Sequence, residues 1–226
     1  MRVEIIDHIN QFLQFEARNV FQTKEWVRLF EYEKVTKVVL FAVYGDRGLL
    51  MAQPVVIQRF VKWFPWRLGA YAVAWREPWR AQNITDEESV RAFELMSEAI
   101  VKYCRKRALY VEYRHFSDNN IYGLNFNSQL LTFNLPWYNI YRDIETGEDV
   151  VAKMKRDKRR QLKQSFEAGV EVVLAPTHEQ IVEWYGLLKH LYRRIHRPLP
   201  SVDLFLRLNE SEIGRVFVLT HRGRLI

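Results

Sequence analysis

Arg156, Arg159, Arg160 and Lys163 recur at the three- and four-residue spacing that gathers side chains on one face of an α-helix. They lie in a run where seven of the eleven residues from Lys153 to Lys163 are Lys or Arg, more than solubility needs. Such a stripe does not itself break or make bonds; its chemistry is the binding of anions, phosphate above all. Val150, Val151, Met154 and Leu162 are expected on the opposite side as an apolar backing. Gly169 stands where a helix end needs a left-handed residue, and Val170 to Leu174 follows as a β-prone run. Two readings of the stripe stand side by side, an anion-binding surface and a merely solvated helix face. A second cationic pair, Lys24 and Arg28, sits four residues apart in FQTKEWVRLFEYEK, spaced to grip a phosphate or to be ordinary exposed charges.

Catalytic signatures are missing. The sequence holds no Walker loop, G-x-S-x-G elbow, H-E-x-x-H or C-x-x-C pair. Arg67-Leu-Gly69-Ala70 comes nearest to a coenzyme A phosphate loop of the Q/R-x-x-G-x-G/A type, and its spacing fails. The six histidines are scattered, and His190 and His196 are six apart, so no helical metal pair and no metal site are expected. The single cysteine, Cys104, excludes an internal disulfide and reads as a core thiol in an amphipathic segment.

The 226 residues allow one or two domains with a real core, and 48% apolar with 14% aromatic content excludes a disordered chain. The net charge of +7 favours an acidic partner: nucleic acid, a phosphorylated metabolite or an anionic membrane. That excess is local, because basic and acidic residues balance before Val150. The N-terminus MRVEIIDHIN lacks the apolar stretch of a secretory signal and no window is long enough to span a membrane, so a cytoplasmic protein is expected, with peripheral contact to a membrane surface left open.

The elements that must carry these residues alternate. A strand is expected at Val3–Ile6 and a short helix after Asp7; Thr23 then caps a helix with Trp26, Leu29 and Phe30 on its apolar face. Lys37 to Tyr44 and Leu49 to Phe60 form a hairpin about Gly45-Asp46-Arg47-Gly48, and a third strand runs from Trp66 through Ala74. The aromatics Trp63, Phe64, Trp66, Trp75 and Trp79 suit a hydrophobic core, or stacking on bases or sugars. Thr85 or Asp86 caps a long helix to about Arg107, a strand covers Ala108 to Tyr113, and further strands are expected at Leu130–Asn134 and Tyr138–Ile144. After the basic helix, Thr177 opens a helix whose apolar face comprises Ile181, Trp184, Tyr185, Leu188, Leu191, Tyr192 and Ile195. Asp203–Leu208 gives a helical turn or two, and Arg215–Thr220 a strand whose hairpin mate is not expected within the sequence. The fold class is therefore α/β (mixed α+β), with domains at 1–147 and 148–226, the second expected to be incomplete.

FQTKEW, the GDRG hairpin, KRDKRRQLKQSFEAGVEVVLAP, the aromatic helix after it and GRVFVLTHRGRLI together resemble the FemABX family, across most of residues 21 to 226. The resemblance implies tandem GNAT-like domains, the second truncated, in a peptidoglycan-bridge aminoacyltransferase. It implies transfer of an amino acid from aminoacyl-tRNA, as co-substrate, to the amino group of a diphosphate-bearing muropeptide precursor, with no bound cofactor. Substrate-binding positions carried over from the resemblance are Lys24 and Arg28 and, around the aromatic helix, Tyr185 and Arg197, where the Arg-x-x-x-Tyr pattern is interrupted by Pro198 and Pro200. Arg156, Arg159, Arg160 and Lys163 join them as the cationic stripe that two phosphate-bearing substrates would explain. Catalytic residues are expected beyond Ile226. The alternatives are a GNAT-type N-acyltransferase of surface-polysaccharide assembly using an acyl-CoA thioester, and a non-catalytic RNA-binding module.

Overall fold

The computed structural model describes residues 1–7, 16–31, 33, 36–60, 65–114, 145–195 and 199–226. The chain is a mixed α+β protein that divides into two compact units, Met1–Trp137 and Tyr138–Ile226.

The first unit is built on a six-stranded sheet. β1 (Arg2–Ile6), β2 (Thr36–Gly45), β3 (Gly48–Arg59) and β4 (Ala70–Trp75) lie side by side and antiparallel, and β6 (Val111–Arg114) adds to β4 in parallel. β5 (Trp79–Arg80) also pairs with β3, so β3 serves β4 with residues 55–59 and β5 with Met51 and Ala52. Gly48 has φ +107°, which lets the tight turn after Gly45 close the β2–β3 hairpin. Helix α3 (Asp86–Cys104) connects the two parallel strands and starts in a reciprocal cap: Thr85 Oγ1 accepts from the Glu88 N–H while the Glu88 carboxylate accepts from the Thr85 N–H.

The sheet is covered on both faces. Val39, Phe41, Val43, Val55, Ile57, Ala72 and Ala74 point to α3 and meet Ala92, Phe93, Met96, Ile100 and Cys104, all buried. The alternate residues Leu40 and Ala52 point the other way and meet Val27 of helix α1 (Lys24–Glu31) with Trp26 at the margin. The third strand expected from Trp66 begins instead at Ala70. Pro65 caps a single helical turn, α2 (Trp66–Gly69), and β4 follows it. The expected strands at Leu130–Asn134 and Tyr138–Ile144, and the short helix after Asp7, lie outside the described residues.

The second unit has its own three-stranded antiparallel sheet in the order β7 (Val170–Val173), β8 (Val218–His221), β9 (Arg224–Leu225). The strand at Val218–His221 therefore has a hairpin mate, contrary to expectation: Arg222 and Gly223, both at positive φ (52° and 75°), turn the chain back into Arg224–Leu225. Helices α5 (His178–Arg194) and α6 (Val202–Glu210) pack on one face, with Ile181, Val216 and Val218 buried among Val173, Trp184, Phe205, Leu206 and Leu225. The apolar face of α5 is narrower than its sequence pattern, because Leu191 and Ile195 are exposed.

Helix α4 (Arg156–Glu167) precedes this sheet and is shorter than expected. Val150, Val151 and Met154 are not on it. The Asp149 carboxylate accepts from the Ala152 N–H, coiling 149–153 into turns, and Lys155 is extended (ψ 143°), so the helix cannot start before Arg156. The expected apolar backing fails for the same reason: α4 has no buried residue, and only Leu162 is partly covered. Gly169 ends the helix at φ +90°, as its position required.

Candidate functional site

In the first unit the parallel strands β4 and β6 end together, and the carboxyl ends of parallel strands are where α/β folds place ligands. Trp75 is the last residue of β4 and faces Arg114, the last of β6. The Arg114 guanidinium lies 4.5 Å from the Trp75 ring centre, and Phe21 stacks near Trp75 at 5.6 Å with 8° between planes. Arg114 also holds the Glu112 carboxylate with two bonds of 2.7 and 2.9 Å, and that pairing keeps the guanidinium above its ordinary pKa despite partial burial. Beyond Trp75 the ladder continues for one bond, Arg76 N–H to Arg114 O at 2.8 Å. Arg76 then takes φ +64°, a conformation that costs a non-glycine residue about 1–2 kcal/mol.

FQTKEW is the segment that closes over this end. Val20–Gln22 forms a 3-10 turn, and the buried Gln22 donates from Nε2 to Glu77 O at 3.0 Å, tying the turn to the chain just after β4. Thr23 Oγ1 accepts from the Trp26 N–H and starts α1, as its sequence position predicted. Trp26 meets Phe21 and Phe30 edge-on at 4.9 and 5.0 Å. Gln22 and the aromatics are thus the anchoring part of the motif. Lys24 and Arg28 remain on the surface of α1, Lys24 half-buried and Arg28 exposed, and neither forms an ion pair among the described residues.

The second unit carries the stripe. Arg156, Arg159, Arg160 and Lys163 share one face of α4 and all are exposed. Their partners are weak: Arg160 reaches Asp157 at 3.9 Å, Lys163 reaches Glu167 at 3.6 Å, and both pairs are solvated. Arg156 has no ion-pair partner among the described residues. Arg159 differs, because its guanidinium donates to Ala152 O and pins the turn before the helix. Tyr185 is half-buried in α5 and donates its hydroxyl to Pro200 O at 2.7 Å, packed near Phe205 at 5.9 Å. Arg197 lies outside the described residues. Lys24 and Arg28 therefore form one cationic surface, in the first unit, and the α4 residues another, in the second.

Sequence reasoning missed Arg114, Glu112 and Gln22. Arg114 meets Trp75 only through non-local parallel pairing, which no local pattern announces; Gln22 sat in the motif and its burial was the unseen part. Cys104 is buried in the core, and burial pushes its thiol up to about 12, so it stays protonated and inert. Burial likewise pushes the Tyr113 hydroxyl up to about 12. Among the described residues no cluster of His, Cys, Asp or Glu could hold a metal ion, and no helix is long and apolar enough to cross a membrane.

No protein-family model matches this chain, and no curated protein matches it. Solved structures do. The crystal structure of FemX matches over 97% of this chain and 57% of its own, with a TM-score of 0.50 and 12% sequence identity. A probable acetyltransferase matches over 62% of this chain and 100% of its own, with a TM-score of 0.34 and 9% identity. The chain spans little more than half the length of the FemX chain, and at this identity the likeness is one of fold: a mixed α+β architecture similar to that of FemX.

Proposed function

We propose that this chain is an acyltransferase of the FemABX kind, moving an amino acid from aminoacyl-tRNA to the amino group of a diphosphate-bearing peptidoglycan precursor. The observation that carries the reading is the likeness in fold to FemX, which covers 97% of this chain. The two cationic surfaces suit two phosphate-bearing substrates. Lys24 and Arg28 are proposed to receive the precursor's diphosphate, and Arg197 and Tyr185 are proposed separately as substrate contacts of the second unit. The α4 stripe, Arg156, Arg159, Arg160 and Lys163, is proposed to receive tRNA phosphates, with affinity that falls as salt rises.

The chemistry asks little of side chains beyond placement. An aminoacyl ester already carries a good leaving group. Attack by the precursor's amine forms the amide bond, breaks the ester C–O bond and leaves the 3′-terminal ribose hydroxyl of tRNA, which takes up the proton. Holding amine and carbonyl together and donating hydrogen bonds to the oxyanion supply most of the acceleration, so no nucleophile, metal or cofactor is required. The reaction belongs in the cytoplasm, where charged tRNA is available.

The test is incubation of the full-length protein with charged tRNA and muropeptide precursors, with products weighed by mass spectrometry. A precursor heavier by one aminoacyl residue, and only when charged tRNA is present, is the expected result. Acyl transfer from a coenzyme A thioester without tRNA would replace this reading with that of a GNAT-type N-acyltransferase. Salt-sensitive tRNA binding with no transfer from either donor would reduce the protein to an RNA-binding module.

A further inference from the structure

On the α1-side face of the first sheet, beyond the part that α1 covers, three aromatic rings form a row across the strands. Phe60, at the end of β3, meets Tyr71 of β4 at 6.0 Å, and Tyr71 meets Tyr110, the residue before β6, at 5.6 Å with only 14° between planes. The backbone fixes the row. Tyr110 O accepts from the Ala72 N–H at 3.0 Å, Phe60 N–H donates to Gly69 O at 2.7 Å, and the Tyr71 hydroxyl donates to Gln58 Oε1 at 2.8 Å. Alternation along β6 puts Glu112 and Arg114 on the same face as Tyr110. β6 is the edge among the described strands of this sheet, so among the described residues Tyr110 ends the row. One face of its ring lies toward Tyr71, yet the residue is 50% exposed.

A half-exposed ring at the end of a near-parallel stack, with a carboxylate and a guanidinium on the same face, is a place for one more flat ring. Trp75 is not such a place, because it already has Phe21 at stacking distance and Arg114 over its ring. Sheet-face aromatics of this kind hold unpaired nucleobases, with neighbouring polar groups reading their edges. A pyranose lacks the flat π-face that would continue a stack with 14° between planes. We infer that Tyr110 is the stacking platform for an unpaired nucleobase, with Tyr71 and Phe60 holding it upright and Glu112 facing the hydrogen-bond donors of the base. The source of the base follows from the proposed transferase reading: it is the single-stranded end of an RNA, or the nucleoside of a nucleotide-linked precursor.

The experiment measures binding of two probes to the full chain at 0.5 M salt, where phosphate contacts are weakened and stacking is not. One probe is the single-stranded oligonucleotide ACCA; the other is uridine diphosphate. At least one is expected to bind, about tenfold more weakly to Tyr110→Ala and within about twofold of wild type to Tyr110→Phe. Tyr110→Leu, which keeps the apolar area and loses the π-face, is expected to resemble Tyr110→Ala. Binding of the oligonucleotide alone identifies an RNA end, and binding of the diphosphate alone a nucleotide-linked ligand. Equal affinity in wild type, Tyr110→Ala and Tyr110→Phe overturns the inference, as does binding of a chitooligosaccharide, but of neither probe, that is lost in Tyr110→Ala. The readout needs no turnover, so Tyr110-dependent binding without aminoacyl transfer would sink the transferase reading alone. Transfer unchanged in rate and KM by Tyr110→Ala would sink the platform alone.

Discussion

From the first described strand of each onward, the two units follow a similar order of elements, and they are finished differently. In the first, β1 leads through α1 to the β2–β3 hairpin, with β1 antiparallel to β2; in the second, β7 leads through α5 and α6 to the β8–β9 hairpin, with β7 antiparallel to β8. The first sheet is then covered on its other face by α3, and its centre holds fully buried Phe41, Met51, Met96 and Ile100. Among the described residues the second is covered on one face only. Val172 and Leu219, directly opposite each other on the uncovered face, are 44% and 43% exposed, and Ile181 is the only fully buried residue of α5. A similar order of elements thus gives one unit that stores stability in a core and another that displays its helix α4 and one sheet face.

The largest expected effect follows from that contrast. Phe41→Ala removes a fully buried ring between the sheet and α3 and should cost about 3–5 kcal/mol, read as a lower urea midpoint. Ile181→Ala, in the small core of the second unit, should cost less, about 2 kcal/mol, because a shallow core relaxes into the space. A loss for Ile181→Ala as large as that for Phe41→Ala would break the comparison, since it would mean the second unit is as tightly packed as the first.

The difference between the units was only partly legible in the sequence. The β2–β3 hairpin was plain because Gly45-Asp46-Arg47-Gly48 is turn chemistry between apolar runs, and the caps at Thr85 and Thr177 because a short side chain precedes each apolar period. These are local signals. Val150, Val151 and Met154 misled for a local reason as well: their spacing fits a helix, but Asp149 offers the backbone a competing bond and wins. What could not be read was non-local. Arg114 reaches Trp75, and Tyr110 reaches Tyr71, through a parallel pairing across α3 that places residues some forty positions apart side by side. The cations were visible as cations, whereas the one that is structurally engaged, Arg159, could be told from its neighbours only by its bond to Ala152 O.

A smaller effect compares the two helix starts. Thr85→Ala and Thr177→Ala should each cost about 1 kcal/mol, since each hydroxyl accepts the backbone N–H three residues on. The caps differ in acid. Glu88, the reciprocal partner in the first unit, is held below the usual carboxylate range by the Thr85 N–H and by Arg47, whereas the corresponding Gln180 in the second unit cannot titrate. A depressed folded-state pKa contributes stability above the unfolded value and loses it as pH falls through the folded one. Glu88→Gln should therefore flatten the acid limb of the first unit's stability curve. An acid limb with unchanged slope in that variant would make the two caps equivalent.

The smallest effect on stability is expected where the effect on binding should be clear. Arg156→Gln, Arg160→Gln and Lys163→Gln together remove exposed cations whose only ion pairs among the described residues are weak and solvated, so the stability read from urea unfolding should change by no more than about 0.5 kcal/mol. Arg159 is left in place because it holds the preceding turn. If the stripe meets RNA phosphates, each lost contact should make the dependence of tRNA affinity on salt shallower by about one unit of slope, up to about three for the triple variant. A slope identical to wild type would mean that α4 is an ordinary solvated face, and the cationic role would pass to Lys24 and Arg28 in the first unit. A loss of stability well beyond 0.5 kcal/mol would mean instead that the cations hold the second unit together, and its exposed helix would then be structural after all.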